Sequence, residues 1–465
     1  MTKRKENIVM FPFMAQGYIS LKQTKKYTIT LVNTPRNIKR LISSLPPTSS
    51  SIHLLEIPFN SSDHNLPPEG AGENIDSLPY HLVKVLLEAT FSFKPHFKKL
   101  ISHLMHDHRK PLCIITSMFF EWCAEIAKEF GVFHAVFITG GGFVLACYHS
   151  LWLNLPHQNT DSDEFPLPDF PEASRTHVTQ LSEDLRAADG TDSLSVFLNK
   201  VLPLWTAVDG ISVNTVGETG RPVWPIGPVL LSTSSGGHNR DGKELGVSTE
   251  ACKSWLDKRP CSSVLYVSFG SQKTISASQM MELALALETS GKSFIWVLRP
   301  PIGDWLPEDF EERIKNSKQG LIVHRWAPQV DILSHEYVSA FLSHCGWNSV
   351  LEALSHGVTI IGWPVGAEQF YNAKFLEEEI GVCVEVARGT SCEVRHEEIV
   401  KIIELVMDET EKGKEMRRRA CEIKETIENA IKDEENNKGS STKAMDEFFN
   451  AGLTIREKTN VIIQY

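Results

Sequence analysis

Short runs rich in β-branched residues alternate with helix-length amphipathic segments along both halves of this 465-residue chain. Such alternation is typical of parallel sheets, because parallel strands need a crossover of a dozen or more residues, usually a helix. The length exceeds that of one ordinary core, so we predict an α/β protein with two Rossmann-like domains. The predicted strands cover residues 8–13, 28–32, 52–57, 112–116, 135–138 and 210–213 in the first half, and 264–268, 294–298, 321–324, 340–343, 359–362 and 382–386 in the second.

The composition excludes several classes of protein. A net charge of −11 argues against nucleic acid as a partner, because phosphate contacts need clustered Lys and Arg. The nine cysteines show no paired CxxC spacing, so we expect no metal site and reduced thiols in the cytoplasm. Residues 131–155 lack charged side chains, but Gly140 to Gly142 interrupt them, which indicates a strand, a turn and a helix rather than a membrane span.

A boundary between the halves is indicated by the Pro-rich stretch from Arg221 to Pro228 and the Ser/Gly-rich stretch from Ser232 to Gly242. We predict an N-terminal domain over residues 1–228, a C-terminal domain over 229–439 and a tail over 440–465 that packs back toward the N-terminal domain. Open parallel sheets bind ligands beyond the carboxyl ends of their strands, so a cleft between the two domains is the expected ligand site.

Two features of the second half suggest phosphate binding. One is the strand that ends in the turn Phe269-Gly270-Ser271, where backbone amides can meet an anion. The other is a strand followed by His344 and a helix that starts near Asn348 and Ser349, whose positive end suits a diphosphate. On these residues alone, a buried histidine with an ordinary helix start explains the second feature equally well.

The 44-residue segment from Trp326 to Gln369 resembles the signature of the plant UDP-glycosyltransferases, a two-domain family with the GT-B fold. The resemblance therefore implies two Rossmann-like domains that face each other across a cleft. The matching motifs are Trp326-Ala327-Pro328-Gln329, His335, His344-Cys345-Gly346-Trp347-Asn348-Ser349, Glu352, Gly357, Trp363-Pro364 and Glu368-Gln369, with looser matches at Trp255-Leu256-Asp257, Tyr266 to Ser271 and Trp224 to Pro228.

The resemblance implies a donor site for a UDP-sugar, the co-substrate, with no further cofactor and no metal. An indole can stack on uracil, and a carboxylate can accept hydrogen bonds from two ribose hydroxyls. A closing glutamine in this family leans toward glucose. The implied positions are Trp326, Gln329 and Glu352 for base and ribose, Ser271, His344, Asn348 and Ser349 for the diphosphate, and Glu368 and Gln369 for the sugar, with Ala327 and Trp347 in the same segment.

The family's catalytic pair is substituted. A histidine after the first strand acts as general base in the family and an aspartate after a later strand orients it, but this chain has Tyr18 and Ser117 there. The interval before residue 28 is also short for a crossover helix. Three explanations stay open: an incorrectly spliced coding sequence, a UDP-sugar-binding homologue without turnover, or another base, such as Tyr18, His53, His81, His96 or His134.

We therefore expect a monomeric inverting UDP-glycosyltransferase that moves glucose to a hydroxyl of a small hydrophobic acceptor, such as a flavonoid, terpenoid or phenolic. The alternative is a catalytically impaired UDP-sugar-binding homologue. Apolar residues that could line an acceptor pocket are Phe119, Phe120, Phe143 and Trp152.

Overall fold

The computed structural model of the chain describes residues 5–14, 27–44, 51–68, 71–75, 78–107, 109–173, 175–216, 223–229, 245–271, 274–299, 305–434 and 436–463. Tyr18 and the short crossover before residue 27 lie outside the described residues, as does the Ser/Gly-rich stretch from Ser232 to Gly242.

Most strands of the described residues fall on or near the predicted runs; the edge strand at Val223–Pro225 and two short antiparallel pairs were not predicted. In chain order they are β1 (Glu6–Phe11), β2 (Tyr27–Asn33), β3 (Ile52–Glu56), β4 (Pro111–Ser117), β5 (Phe133–Ile138), β6 (Glu164–Phe165), β7 (Thr176–His177), β8 (Gly210–Val213), β9 (Val223–Pro225), β10 (Val264–Ser268), β11 (Ser293–Leu298), β12 (Gly320–His324), β13 (Val338–Ser343), β14 (Thr359–Gly362), β15 (Cys383–Glu385), β16 (Asp433–Glu434) and β17 (Asn437–Lys438).

Helices occupy most crossovers between these strands. They are α1 (Pro35–Ser44), α2 (Val83–Ala89), α3 (Phe93–His106), α4 (Trp122–Glu129), α5 (Gly142–Asn154), α6 (Glu183–Ala187), α7 (Ser193–Val201), α8 (Thr249–Leu256), α9 (Ala277–Thr289), α10 (Phe310–Ser317), α11 (Gln329–Leu333), α12 (Trp347–Ser355), α13 (Gln369–Lys374), α14 (His396–Met407), α15 (Glu411–Ala430) and α16 (Ser440–Ile463). A π-helical turn, Phe375–Ile380, continues α13.

The run without charged side chains, residues 131–155, forms strand β5, a glycine turn and helix α5, as predicted. Among the described residues, none of the helices combines the length and the apolar character that a bilayer crossing requires.

The first compact unit contains the described residues of Met1–Gly142, Ala188–Leu231 and Asn429–Tyr465. Seven of its described strands form a parallel sheet in the order β3-β2-β1-β4-β5-β8-β9, and β16 and β17 form a separate pair. The order reverses between β1 and β4, which places the ends of these two strands side by side at the switch point of a Rossmann-like sheet.

The last helix, α16, completes the core of this first unit. Phe448 and Phe449 are buried in a cluster with Leu112 and Phe133 from the sheet. Arg456 pairs with Glu6 at the start of β1, and the Ser441 hydroxyl donates to the carbonyl of Gly227. Helix α16 therefore packs on the sheet of this unit, while the division into domains at 1–228, 229–439 and 440–465 stays a prediction.

The second compact unit contains the described residues of Phe143–Ala187 and Ser232–Glu428. Six of its described strands form a parallel sheet in the order β12-β11-β10-β13-β14-β15, and β6 and β7 form a separate pair. The order is doubly wound, with its switch point between β10 and β13. Continuous buried strands such as β13 suit this position, because helices cover both faces of a parallel sheet.

Phe143–Ala187 comes from the first half of the sequence but packs in the second unit. The Phe143 ring stacks on Phe375, with centroids 4.9 Å apart, and also contacts Phe170 edge to face. Apolar burial of this kind contributes about 25 cal/mol per Å² of surface removed from water. A segment that the linear order assigns to the first half therefore contributes to the core of the second.

Candidate donor site

The two features expected to bind phosphate lie side by side at the switch point of the second sheet. Strands β10 and β13 are parallel neighbours with Ser268 opposite Ser343, so their carboxyl ends meet at one edge. Gly270 and Ser271 follow the first strand, and His344 follows the second. This is the edge at which open α/β sheets bind their ligands.

The His344 ring occupies the space between two glycines. A Cβ atom on Gly270 would lie 2.4 Å from His344 Nε2, and a Cβ atom on Gly346 would lie 2.5 Å from the same nitrogen. Gly270 also has a φ of +68°, in the left-handed region that side chains other than glycine disfavour. Both glycines are therefore needed for the imidazole to lie in the loop.

Helix α12 begins directly after this loop. Its N-cap is Gly346, which supplies no side-chain cap, and the preceding residue, Cys345, has a φ of +61°. The Cys345 amide donates to the Ser343 hydroxyl over 3.1 Å, which fixes the turn. An α-helix start without a side-chain cap offers backbone N–H groups and the positive end of the helix dipole to an anion.

A polar network brings together residues from three elements. Gln329 Nε2 donates to Glu352 Oε2 over 2.7 Å and to the Ser349 hydroxyl over 3.1 Å. The Tyr266 hydroxyl donates to Gln329 Oε1 over 3.3 Å. Glu352 is only 2% exposed, so its carboxylate depends on such donors for stability. The predicted base and ribose residues are therefore adjacent, and Tyr266 is an additional member.

Trp326 and Ala327 lie at the edge of the same region. The Trp326 carbonyl accepts from the Gly246 amide over 2.9 Å, and the Ala327 carbonyl accepts from the Gln329 amide over 2.9 Å. The Trp326 side chain is half-buried, which leaves part of the indole exposed. Trp347 is almost fully buried and is a packing residue of α12.

Glu368 and Gln369 lie at the start of α13. Gln369 Oε1 accepts from the backbone amides of Val365 and Gly366, over 3.0 and 3.1 Å. Because the carbonyl oxygen is already occupied twice, the amide nitrogen is the part of this side chain that can donate to a ligand. Glu368, the residue before Gln369, is half-buried, and burial raises the pKa of its carboxyl group.

Of the two catalytic positions of the family, only Ser117 lies within the described residues, and it belongs to the first unit. Ser117 ends β4 and is fully buried, and its carbonyl accepts from the Phe120 amide over 3.1 Å. Tyr18 lies outside the described residues, so the prediction that it replaces the histidine stays untested by geometry.

The alternative histidines differ in their surroundings. His134 is 1% exposed on β5, its Nε2 lies 3.0 Å from the Thr116 hydroxyl, and burial lowers its pKa to about 3. A ring that is enclosed in this way cannot reach an acceptor, so His134 is excluded as a base in this conformation. His53, His81 and His96 are exposed.

Two of the four residues expected to line an acceptor pocket are core residues instead. Phe120 and Trp152 are almost fully buried. Phe119 and Phe143 are half-buried, and Phe119 contacts Phe13 with ring centroids 5.1 Å apart. Phe13 follows β1 and Phe119 follows β4, so both lie at the switch point of the first sheet.

Sequence reasoning missed Tyr266, Asn372 and Lys374. All three are buried polar or amphipathic side chains in apolar surroundings. A tyrosine in the middle of a buried strand needs a partner for its hydroxyl, and a lysine within an apolar helical stretch needs one for its charge. A polar group at a position that the sequence predicts to be buried is the signal that could have identified these residues. No group of three or more His, Cys, Asp or Glu side chains suited to a metal occurs in the part of the chain that the structure describes.

Comparison with known proteins places these features in context. Residues 228–419 match the family model for UDP-glucoronosyl and UDP-glucosyl transferases. The chain is 48% identical to UDP-glycosyltransferase 92A1 of Arabidopsis thaliana, over 97% of this chain and 98% of that protein. It is 42% identical to crocetin glucosyltransferase 3 of Crocus sativus, over 88% and 92%. The crystal structure of Glycyrrhiza uralensis UGT73P12 with glycyrrhetinic acid 3-O-monoglucuronide superposes with a TM-score of 0.84 at 26% identity, over 99% of this chain and 98% of that one.

Proposed function

Because the chain belongs to the plant UDP-glycosyltransferases, a family that transfers sugars to small acceptors, we propose that it binds UDP-glucose at the switch point of its second sheet. The observation that carries this proposal is the network of Gln329, Ser349 and Glu352 beside the start of α12. It presents a buried carboxylate for ribose hydroxyls next to a helix N-terminus for phosphate.

The proposed donor pose runs along this edge. The half-exposed indole of Trp326 stacks on uracil, and Glu352 accepts from the ribose. The diphosphate meets His344, Ser271 and the amides at Asn348 and Ser349. Glu368 and the Gln369 amide nitrogen contact the sugar hydroxyls. This order follows the family resemblance.

The proposed reaction inverts the configuration at the anomeric carbon. An acceptor hydroxyl oxygen forms a bond to that carbon, the bond from the carbon to the β-phosphate oxygen breaks, and a base takes the hydroxyl proton. UDP leaves with its bonding electrons and an added negative charge. The start of α12 and His344 lie where they can stabilise that charge, so we propose that a metal is not required.

Tyr18 and Ser117 stand at the positions of the family's base and its partner. A buried serine at position 117 cannot stabilise an imidazolium as an aspartate does. A tyrosine, with an ordinary pKa of about 10, is a poor base at neutral pH. The second candidate function is therefore a UDP-sugar-binding homologue with little turnover, which the substitutions at Tyr18 and Ser117 favour.

For the acceptor we propose a small, largely apolar molecule with a hydroxyl group. The supporting observation is the aromatic wall at the switch point of the first sheet. Phe119 contacts Phe13 and lies 6.5 Å from Phe197 between ring centroids. Aromatic faces bind flat or terpenoid molecules well. A relative that is 42% identical is named as a crocetin glucosyltransferase.

The cellular setting is a further part of the proposal. All nine cysteines are free. Free thiols persist in a reducing compartment, so we propose the cytoplasm, with the monomer as the working form.

The test combines turnover with binding. The purified chain is incubated with UDP-glucose and a panel of flavonoid, terpenoid and phenolic acceptors, and UDP release and glucoside formation are measured. Calorimetry with UDP-glucose is run on the same sample. Turnover supports the transferase, and binding with background UDP release supports the second candidate. Absence of both would contradict the proposed donor site itself.

A further inference from the structure

Helix α13 and the π-helical turn after it connect the sugar end of the donor site to other parts of the second unit. The helix begins at Gln369, directly after Glu368. Within it, Asn372 is fully buried, and its Nδ2 donates to the Cys345 carbonyl over 2.8 Å. Cys345 belongs to the loop that carries His344, so one hydrogen bond joins the sugar end to the proposed diphosphate end.

Lys374, at the end of α13, has a side chain that is only 2% exposed. Its Nζ donates to the Arg175 carbonyl over 2.9 Å and pairs with Glu378 Oε2 at 2.6 Å. A buried ammonium is costly unless it is paired and hydrogen-bonded, and both conditions are met here. The lysine therefore fixes the backbone at residue 175 to the helix.

A second set of contacts holds the same stretch of backbone. Gln180 is buried and its Nε2 donates to Glu378 Oε1 over 3.2 Å. Arg388 Nη1 donates to the Thr179 hydroxyl over 2.8 Å. The stretch from Thr176 to Gln180 comprises strand β7 and a 3-10 turn, and we name it the strap. The Glu378 carboxylate thus accepts hydrogen bonds both from Lys374 and from Gln180 of the strap.

We propose that Lys374 and Glu378 are positioning residues for the donor sugar. Together they hold the strap against α13, which gives the helix start with Glu368 and Gln369 a single orientation. The Gln369 carbonyl oxygen is fixed by the amides of Val365 and Gly366, so its nitrogen points correctly only while α13 keeps its place relative to that loop. The inference rests on the proposed function, because it assigns these residues a role toward the sugar of a UDP-sugar.

The direct contacts proposed for the nucleotide come from elements other than α13, which is linked to the diphosphate end by the Asn372–Cys345 hydrogen bond. The proposed contacts to uracil, ribose and phosphate come from Trp326, Glu352 and the start of α12, and none of these lies on α13. A displacement of about 1 Å in a group that positions a reacting centre can cost about a hundredfold in rate. Loosening the strap is therefore expected to weaken sugar recognition while UDP recognition is kept.

The experiment compares UDP-glucose with UDP by calorimetry in the wild type, in Lys374→Met and in Gln180→Ala. Lys374→Met removes both bonds from the lysine at similar side-chain length. Gln180→Ala loosens the strap without changing charge, and so provides the test if the first variant does not fold. The matched control is Arg418→Met. It removes the cation of the exposed ion pair between Arg418 and Glu422 in α15, whose spacing of four residues equals that of Lys374 and Glu378.

In both Lys374→Met and Gln180→Ala we expect the Kd of UDP-glucose to rise about fivefold to tenfold, with the Kd of UDP within about twofold of wild type. The control should match the wild type for both ligands. An equal loss of affinity for UDP-glucose and for UDP, or an unchanged affinity for UDP-glucose, would overturn the positioning role. If the wild type itself shows no affinity for UDP-glucose, the proposed function fails first, and this result is distinct from the other two.

Discussion

Gln329 Nε2 donates to Glu352 Oε2 over 2.7 Å, although 23 positions separate the two residues in sequence. Tyr266 and Ser349 complete the network around the same amide. The arrangement orients a buried carboxylate before any ligand arrives, and preorganised groups of this kind lower the entropy lost on binding.

Glu352→Gln is expected to weaken UDP binding about tenfold to a hundredfold, because hydrogen bonds to a charged acceptor contribute about 1.5–3 kcal/mol. The substitution keeps the side-chain shape, so the melting temperature should change little. Calorimetry with UDP measures the effect. Glu404→Gln, an exposed residue on α14, is the control, and an equal loss in both variants would contradict the ribose assignment.

Gly270→Ala is expected to lower both stability and UDP affinity, because its Cβ would displace the His344 ring. Gly291→Ala is a matched control, since Gly291 has a φ of +66° but nothing within 4 Å of the added carbon. Both variants carry the left-handed penalty of about 1–2 kcal/mol, seen as a lower melting temperature. Only Gly270→Ala should lose UDP affinity, by about tenfold, and equal affinity in the two variants would argue against His344 as a phosphate contact.

Combining Tyr18→His with Ser117→Asp is expected to raise turnover by about 10²- to 10⁴-fold, the usual contribution of a general base. UDP release with a good acceptor measures it. Ser117→Asp alone should melt earlier without a gain in rate, because it buries a carboxylate that lacks its imidazole partner. A wild type that already turns over as fast as the double variant would show that another base operates.

Glu385 predicts a pH dependence of stability. Burial, with smaller contributions from nearby Glu377 and Glu378, raises the pKa of Glu385 to about 7 against the opposing effect of Arg388. Because the folded-state pKa lies above the ordinary value of 4.5, protonation favours the folded state. This stabilisation is complete below pH 4.5 and is lost as the pH rises through about 7.

Glu385→Gln should therefore melt progressively higher relative to wild type between pH 5 and pH 8, a range of roughly one unit or more on either side of the raised pKa. Thermal unfolding at steps across this range gives the difference curve. The exposed Glu393→Gln serves for comparison and should give a flat difference. A flat curve for Glu385→Gln as well would show that this carboxyl is not protonated near neutrality.

Treatment with a metal chelator is expected to leave UDP-glucose affinity within about twofold, because the α12 N-terminus and His344 supply the positive potential at the diphosphate. Calorimetry before and after dialysis against the chelator measures this, with added Mg²⁺ as the reciprocal arm. A loss of affinity that Mg²⁺ restores would show that the diphosphate is bound through a cation.

The sequence predicts most of the strands, because their positions depend on local patterns. Continuous β-branched runs identify buried parallel strands, and the spacing from Trp326 to Gln369 is carried by contiguous residues. Placement of Phe143–Ala187 in the second unit depends instead on contacts such as Phe143 with Phe375, which are distant in sequence. The roles of Tyr266 and Lys374 likewise depend on partners from other elements, and no local periodicity encodes them.

The position of α16 at the end of the sequence affects how the first unit folds during synthesis. Phe448 and Phe449 fill the core beside β4 and β5, whose residues leave the ribosome more than 300 positions earlier. The first unit therefore lacks part of its core, the part that Phe448 and Phe449 supply, until the whole second unit has been translated. During that interval its apolar sheet face is open to chaperones or to aggregation, and an early stop before Phe448 would leave it so permanently.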